Sequence, residues 1–304
     1  MTKTDEEVRA DAAERWALGG DLSVARTGFG AMRLPMRDFG IPGVDPRQAI
    51  AVLRRALELG VDHIDTAAFY FHQDVTANAL IREALHPYRD GLVIATKVGP
   101  GRRRPDGKWL TPAGPAELKA AVHANLRELG LDSLDLVYLR LQPPDDGDLA
   151  ERFGALAELR DEGLIRHLGI SNATADQLAE AQRVAPVAAV QNRFSVGSRT
   201  DAAVLDACTD QSIAFVPYYP LVGKGGDQAV SDAALLKEIA GRYGVSPAQV
   251  KLAWLLALSP SVLIIPGTSS PAHLEENVAA GALRLDAADL AALDSMAGVS
   301  RSDH

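Results

Sequence analysis

Short apolar runs rich in β-branched residues alternate with amphipathic helical stretches from about residue 28 to residue 280, and few architectures tolerate that pattern. The candidate strands are TGFGAMRL (27–34), HIDTA (63–67), GLVIATK (91–97), LDLVYL (134–139), IRHLGIS (165–171), VAAVQ (187–191), IAFVPYY (213–219) and VLIIPG (262–267). Between them, DPRQAIAVLRRALELG (45–60) sets Ile50, Leu53, Ala56 and Leu57 on one helical face, with Gly60 as the stop. The stretches 116–130, 149–163 and 175–185 repeat the pattern. Strands separated by helices of this length imply right-handed crossovers and a parallel sheet, and eight such units favour closure into a single (β/α)8 TIM barrel. An open doubly wound sheet that binds a dinucleotide needs G-x-G-x-x-G after its first strand; here Gly28 and Gly30 are followed by Ala31, Met32 and Arg33. Ahead of the first strand, ALGGDLSVAR (17–26) predicts a β-hairpin turning at Gly19, Gly20 and Asp21, an N-terminal cap for the bottom of the barrel. No linker or repeat divides the sequence, so residues 1–304 are expected to form one barrel domain, with 1–16 as an N-terminal extension.

A chain of 304 residues that is 47% hydrophobic can bury a sizeable core. Its net charge of −9 argues against nucleic acid or an anionic membrane as a partner and leaves a small-molecule enzyme. Cys208 is the only cysteine, which excludes an intrachain disulfide and a thiolate cluster and suits a reducing cytoplasm. The acidic start, MTKTDEEVRADAAERW, lacks the apolar core of a signal peptide, and KLAWLLAL (251–258) is too short to span a bilayer. The seven histidines are scattered without ligand spacing, so no metal site is expected.

Chemistry concentrates in HIDTAAFY (63–70) and IATK (94–97), which bring Asp65, Tyr70 and Lys97 to the ends of two strands. A tyrosine has a free pKa of about 10, and a lysine beside it favours the phenolate and lowers that value. Asp65 would pair with Lys97 and hold it charged, the wiring of a proton donor for carbonyl reduction. Spacing alone also fits a strand-end salt bridge beside a half-buried tyrosine.

The order and flanking text of these residues, from about Leu18 to Leu285, resemble the aldo-keto reductase superfamily. The resemblance implies a parallel barrel with an N-terminal hairpin that binds NADP(H) without a Rossmann motif. It implies Tyr70 as proton donor to the carbonyl of a small aldehyde or ketone, tuned by Lys97 and Asp65. It further implies that Ser171, Asn172 and Gln191, in GISN and VQN, hold the nicotinamide carboxamide, and that Tyr218 stacks on the nicotinamide ring, with Tyr219 as the alternative register. Gly30, Ala31, Met32 and Leu221 would also contact the cofactor. Taken alone, Ser171 and Asn172 also fit a helix N-cap. IIPGTSSPAHLEEN (264–277) is similar to the family's adenosine 2′-phosphate and adenine site, which would use Gly267, Thr268, Ser269, Ser270, His273, Glu276 and Asn277. Hydroxyls before a helix start suit an anion. Many relatives carry lysine and arginine where this chain has Gly267 and His273, so NADPH is the expected cofactor, with NADH possible.

The family's fourth catalytic residue is a histidine in text like LGLDxxDLxxxH; in LGLDSLDLVYLRL (129–141), Arg140 takes its place. A guanidinium is always charged and offers several donors in a plane. Inside the pocket, Arg140 would polarise a carbonyl, lower the pKa of Tyr70 or bind an anionic group; pointing outward, it would leave the chemistry impaired. The combined segments are most similar to the bacterial pyridoxal reductase branch, which implies pyridoxal, with its hydroxyl ortho to the aldehyde, as substrate and pyridoxine as product. The alternatives are a ketone or keto-sugar of secondary metabolism, or a weakly catalytic NADP(H)-binding regulatory subunit. His72 could stand in for the absent histidine or be a plain loop residue, and FHQDVTANA (71–79) reads as a long substrate loop. GRRRPDGK (101–108) fits a solvated loop or a patch that draws in anions, and Gly223–Lys224 lacks the Ser or Thr of a P-loop.

Overall fold

The computed structural model describes residues 9–10, 14–38, 41–100, 112–142, 148–221 and 230–296. GRRRPDGK and Gly223–Lys224 lie outside the described residues. An antiparallel hairpin opens the fold: β1 (Arg15–Leu18) pairs with β2 (Leu22–Ala25). Gly19 and Gly20 turn it at φ +63 and +90, a backbone region that suits glycine. The hairpin starts at Arg15, two residues inside the segment expected to be an extension. Asp21 at its tip accepts from Arg166 Nη2 at 2.9 Å and lies 2.6 Å from His167 Nε2.

Seven parallel strands then form one sheet whose spatial order follows the chain: β3 (Phe29–Gly30), β6 (His63–Asp65), β9 (Val93–Val98), β10 (Leu134–Arg140), β11 (Ile165–Ser171), β12 (Ala189–Gln191) and β13 (Ala214–Phe215). Two small hairpins interrupt them, β4 (Met36–Asp38) with β5 (Ile41–Pro42), and β7 (Phe71–His72) with β8 (Val75–Thr76). The eighth segment closes the barrel through single bridges. Leu263 N donates to Phe215 O at 2.9 Å on one side, and Gly28 N donates to Ile264 O at 2.8 Å on the other.

The helices are α1 (Pro46–Glu58), α2 (Ala77–Leu85), α3 (Pro115–Leu129), α4 (Leu149–Asp161), α5 (Ala175–Val184), α6 (Ala202–Asp210), α7 (Val230–Tyr243), α8 (Pro247–Leu258), α9 (Pro271–Ala279) and α10 (Ala287–Ser295). Local chemistry sets their ends. Asp45, Thr174 and Ser246 accept from backbone amides as N-caps, and Gly130 closes α3 at φ +69. Among the described residues no helix is long and apolar enough to cross a membrane.

The expected strands at 27–34 and 213–219 shrink to two residues each. The first ends where the carbonyl of Ile265 abuts Gly30, and Ala31–Arg33 turns as a 3-10 helix; the second ends before Tyr219, at φ +52. The segment 71–79, expected as a long loop after Tyr70, folds as the β7–β8 hairpin and the first turn of α2.

Two apolar clusters sandwich the sheet. Val93, Ala95, Leu136, Tyr138, Ala189, Ala214 and Leu263 pack with Leu18 and Val24 of the hairpin, while Ile64, Ile94, Val137, Leu139 and Ile170 pack with the helices. Side chains alternate along a strand, so the face of β9 that carries Val93 and Ala95 ends in Lys97, and the face of β10 that carries Leu136 and Tyr138 ends in Arg140. The interior columns of β9 and β10 thus each stop in a cation at the C-terminal rim.

Candidate active site

Parallel pairing aligns these strand ends. Gly30 is opposite Asp65, Tyr138 opposite Lys97, and Arg140, Ser171 and Gln191 sit side by side on successive strands. Lys97 Nζ donates to Asp65 Oδ1 at 2.5 Å and to the Thr66 carbonyl at 2.8 Å, and it lies 4.9 Å from the centre of the Tyr70 ring. Asp65 Oδ2 accepts from Gln191 Nε2 at 2.8 Å. The three residues expected to gather do so, with Gln191 tied to the carboxylate.

One expectation is corrected. Lys97 was expected to lower the pKa of Tyr70, whereas burial raises it well above the ordinary tyrosine value, and Asp65 and Tyr218 add to the rise. The opposing influence is the positive charge of Arg140. Burial also pushes the Lys97 ammonium down, against the support of Asp65. Taking a charge out of water outweighs a partner already committed to another ion.

A cavity of about 370 Å³ opens over this cluster, within the range of small-molecule sites. Asp65, Tyr70, Arg140, Gln191 and Tyr218 line it, together with Gly30, Met32, Leu221, Gly267, Thr268, Ser269 and His273. Arg140 points inward, its guanidinium carbon 5.3 Å from the Tyr218 ring centre and 5.9 Å from that of Phe69, so the outward placement is excluded. The lining carries Arg33 and Arg140, and its carboxylate, Asp65, is already held by Lys97. Among the described residues the cavity therefore presents spare positive charge inside an acidic chain. His72, on β7, does not line it.

Lys97, Ala31, Ser171, Asn172, Ser270, Glu276 and Asn277 also stand outside the lining. Ser171 is fully buried and its hydroxyl has no hydrogen-bond partner. Asn172 adopts φ +61 and its side-chain oxygen accepts from Tyr218 Oη at 2.7 Å. Neither caps α5; Thr174 does, so the N-cap alternative falls. Ser270 caps α9, and Glu276 and Asn277 lie further along that helix. Gly30 and Gly267 meet backbone to backbone: a Cβ on Gly267 would sit 2.5 Å from the Gly30 carbonyl, and one on Gly30 2.6 Å from that of Ile265.

The lining also includes Arg33, Phe69, Pro220, Ile265 and Pro266, which sequence reasoning missed, and Tyr219, which it held only as an alternative to Tyr218. Phe69 had a signal, adjacency to Tyr70 in the same run. Ile265 and Pro266 lie within the expected strand at 262–267, Arg33 ends the 3-10 turn after β3, and Pro220 follows Tyr219, so only the closed barrel brings them to one cavity.

The Aldo/keto reductase family profile matches residues 26–297, and the chain belongs to that family. The chain is 46% identical over 287 residues to pyridoxine 4-dehydrogenase of Escherichia coli (strain K12), across 93% of this chain and 97% of that one. It is 38% identical to the uncharacterized oxidoreductase C215.11c of Schizosaccharomyces pombe, across 97% and 94% of the two chains. Among solved structures, an aldo-keto reductase from Klebsiella pneumoniae in complex with NADPH superposes with a TM-score of 0.78 at 28% identity, covering 93% of this chain and 95% of that one.

Proposed function

We propose that this protein reduces a small aldehyde to its alcohol with NADPH, and that pyridoxal, reduced to pyridoxine, is its substrate. The observation that carries the reaction class is the buried Asp65–Lys97 pair beside Tyr70, facing a cavity that also receives Arg140. The likeness to pyridoxine 4-dehydrogenase supports the choice of aldehyde. The unpartnered Ser171 hydroxyl fits a nicotinamide dinucleotide, which needs buried polar groups for its carboxamide.

In this reading Ser171, Asn172 and Gln191 hold the carboxamide, Tyr218 stacks on the ring, and Gly30, Ala31, Met32 and Leu221 wall the nicotinamide end. Gly267, Thr268, Ser269, Ser270 and His273 take the 2′-phosphate, and Glu276 and Asn277 the adenine. When bound, the cofactor supplies the hydride. Tyr70 supplies the proton, and its raised pKa keeps the phenol neutral until the carbonyl oxygen gains charge. The positive charges of Lys97 and Arg140 then offset the phenolate that remains. Arg140 orients the substrate by donating to the carbonyl oxygen and to the ionised hydroxyl ortho to it. The β1–β2 hairpin serves as the N-terminal cap of a single catalytic domain, a reading supported by Leu18 and Val24 within the inner core. The one thiol, on buried Cys208, suits the reducing cytoplasm.

Loss of NADPH absorbance at 340 nm on addition of pyridoxal tests the proposal. Turnover that Tyr70→Phe abolishes is the expected result; absence of turnover with pyridoxal and with 4-nitrobenzaldehyde would reject it.

A further inference from the structure

Behind the Asp65–Lys97 pair lies a buried polar network that the chemistry above does not use. Barrel strands present apolar side chains to the helices around them, as β6 and β9 do at Ile64 and Ile94. The outward-facing neighbours of the ion pair, Thr66 and Thr96, present hydroxyls instead. Thr66 Oγ1 donates to Asn78 Oδ1 of α2 at 2.9 Å, and Thr96 Oγ1 donates to Asn125 Oδ1 of α3 at 2.8 Å. Asn78 Nδ2 donates to Asn125 Oδ1 at 2.9 Å and to Glu128 Oε2 at 3.0 Å, and Asn125 Nδ2 donates to Ala121 O at 2.8 Å. Thr66, Asn78, Thr96 and Asn125 are each at most 1% exposed.

Each amide and hydroxyl of the set has a partner and a fixed sense of donation. A fully satisfied buried network adds little net stability over an apolar filling, yet it admits only one arrangement of its members. Its inner end reaches the ion pair through the backbone. The carbonyl of Thr66 accepts from Lys97 Nζ at 2.8 Å, Thr66 N donates to Ala95 O at 2.8 Å, and Ala68 N donates to Lys97 O at 3.2 Å. A displacement of Thr66 therefore displaces an acceptor of the Lys97 ammonium.

We propose that Asn78 and Asn125 are positioning residues for catalysis: through Thr66 and Thr96 they lock β6 against β9 and hold the Lys97 ammonium between Asp65 and the Thr66 carbonyl, facing Tyr70. The proposal rests on the assignment of Tyr70 and Lys97 as the proton-delivering pair. Misplacement by about 1 Å is enough to cost on the order of 100-fold in rate.

Thr66→Val keeps shape and removes the hydroxyl, Thr66→Ser keeps the hydroxyl, and Asn78→Leu removes the hub. Thr66→Val and Asn78→Leu should lower kcat by about 10- to 100-fold with NADPH affinity unchanged, and Thr66→Ser should stay near wild type. A Lys97 loosened from Asp65 keeps its desolvation and loses its support, so its charge is lost at lower pH and kcat should fall as pH rises in these variants. In the cofactor-free protein, the buried Lys97 ammonium resonance, assigned with Lys97→Met, should shift in Thr66→Val and return in Thr66→Ser. Leu156→Ala, a cavity in α4 away from the site, serves as a control that lowers Tm without these effects. Wild-type kcat, pH profile and ammonium resonance in Thr66→Val would overturn the proposal, and the Thr66 pair decides it even where Asn78→Leu fails to fold. Turnover surviving Tyr70→Phe would instead reject the underlying assignment, which the resonance of the cofactor-free protein tells apart.

Discussion

Lys97 Nζ and Asp65 Oδ1 lie 2.5 Å apart, with the lysine side chain fully enclosed and the aspartate nearly so. The second carboxylate oxygen is taken by Gln191, so Asp65 joins β6, β9 and β12 at one point. Removing one partner of such a pair leaves the other as an uncompensated buried charge, which costs about 3–5 kcal/mol. Asp65→Asn should therefore lower Tm and reduce kcat by about 100-fold or more, the range of a lost acid-base contribution. Adding Lys97→Met should restore much of the Tm and none of the activity, because it removes the stranded charge together with the chemistry. Thermal unfolding and NADPH oxidation on the three proteins check both halves.

The raised pKa of Tyr70 sets the pH dependence. A phenol whose pKa lies above its ordinary value of about 10 stays protonated at every pH below that value. The reductive kcat should show no falling limb from Tyr70 between pH 6 and about 10, whereas oxidation of the alcohol, which needs the phenolate, should rise with pH across the same span. For stability the sign is the same as for any raised group: the contribution is complete below about pH 10 and is lost as pH rises past it, because the unfolded chain ionises first. Rate profiles in both directions, with Tyr70→Phe as blank, measure this.

Much of this arrangement was legible in the chain, for reasons that can be named. The strand at 165–171 was read with its observed bounds, and α3, α4 and α5 were read to within about two residues at each end, because period and cap residues are local signals. Asp65, Lys97 and Arg140 stand at strand ends, where alternation and parallel register bring them together. The direction of the Tyr70 shift was not legible, since burial is a property of the closed barrel and outweighs a neighbouring charge. Nor was the network of Thr66, Thr96, Asn78 and Asn125, whose partners come from separate helices. Gly267 read as a missing cation; the fold shows a point where two backbones touch.

That contact bears on cofactor choice. A side chain at 267 would begin 2.5 Å from the Gly30 carbonyl, and backbone cannot yield cheaply, so Gly267→Lys should destabilise the rim without gaining affinity for the 2′-phosphate. His273 lines the cavity from the first turn of α9 and is exposed, so a longer side chain there meets solvent rather than backbone. A charge-assisted hydrogen bond contributes about 1.5–3 kcal/mol, so His273→Arg should raise the NADPH over NADH ratio of kcat/KM by about 10-fold or more. The two variants should thus move in opposite directions. Steady-state kinetics with each nucleotide at fixed aldehyde concentration reads the ratio directly.

Arg140 offers the sharpest test of substrate class. Its guanidinium lies by the rings of Tyr218 and Phe69 in a cavity whose lining carboxylate is already neutralised, so among the described residues it has no anionic partner to spare, and an anionic oxygen on the substrate would supply one. A neutral histidine could still donate to a carbonyl but could not match a phenolate beside it. Arg140→His should lower kcat/KM for pyridoxal by about 100-fold, the loss of a buried charge-assisted contact, and for 4-nitrobenzaldehyde by about 10-fold or less. Salicylaldehyde should follow pyridoxal, and benzaldehyde should follow the nitro compound, because only the ortho hydroxyl divides the pairs. An equal loss on all four aldehydes would assign Arg140 to carbonyl polarisation alone and remove the basis for selecting an ortho-hydroxy aldehyde.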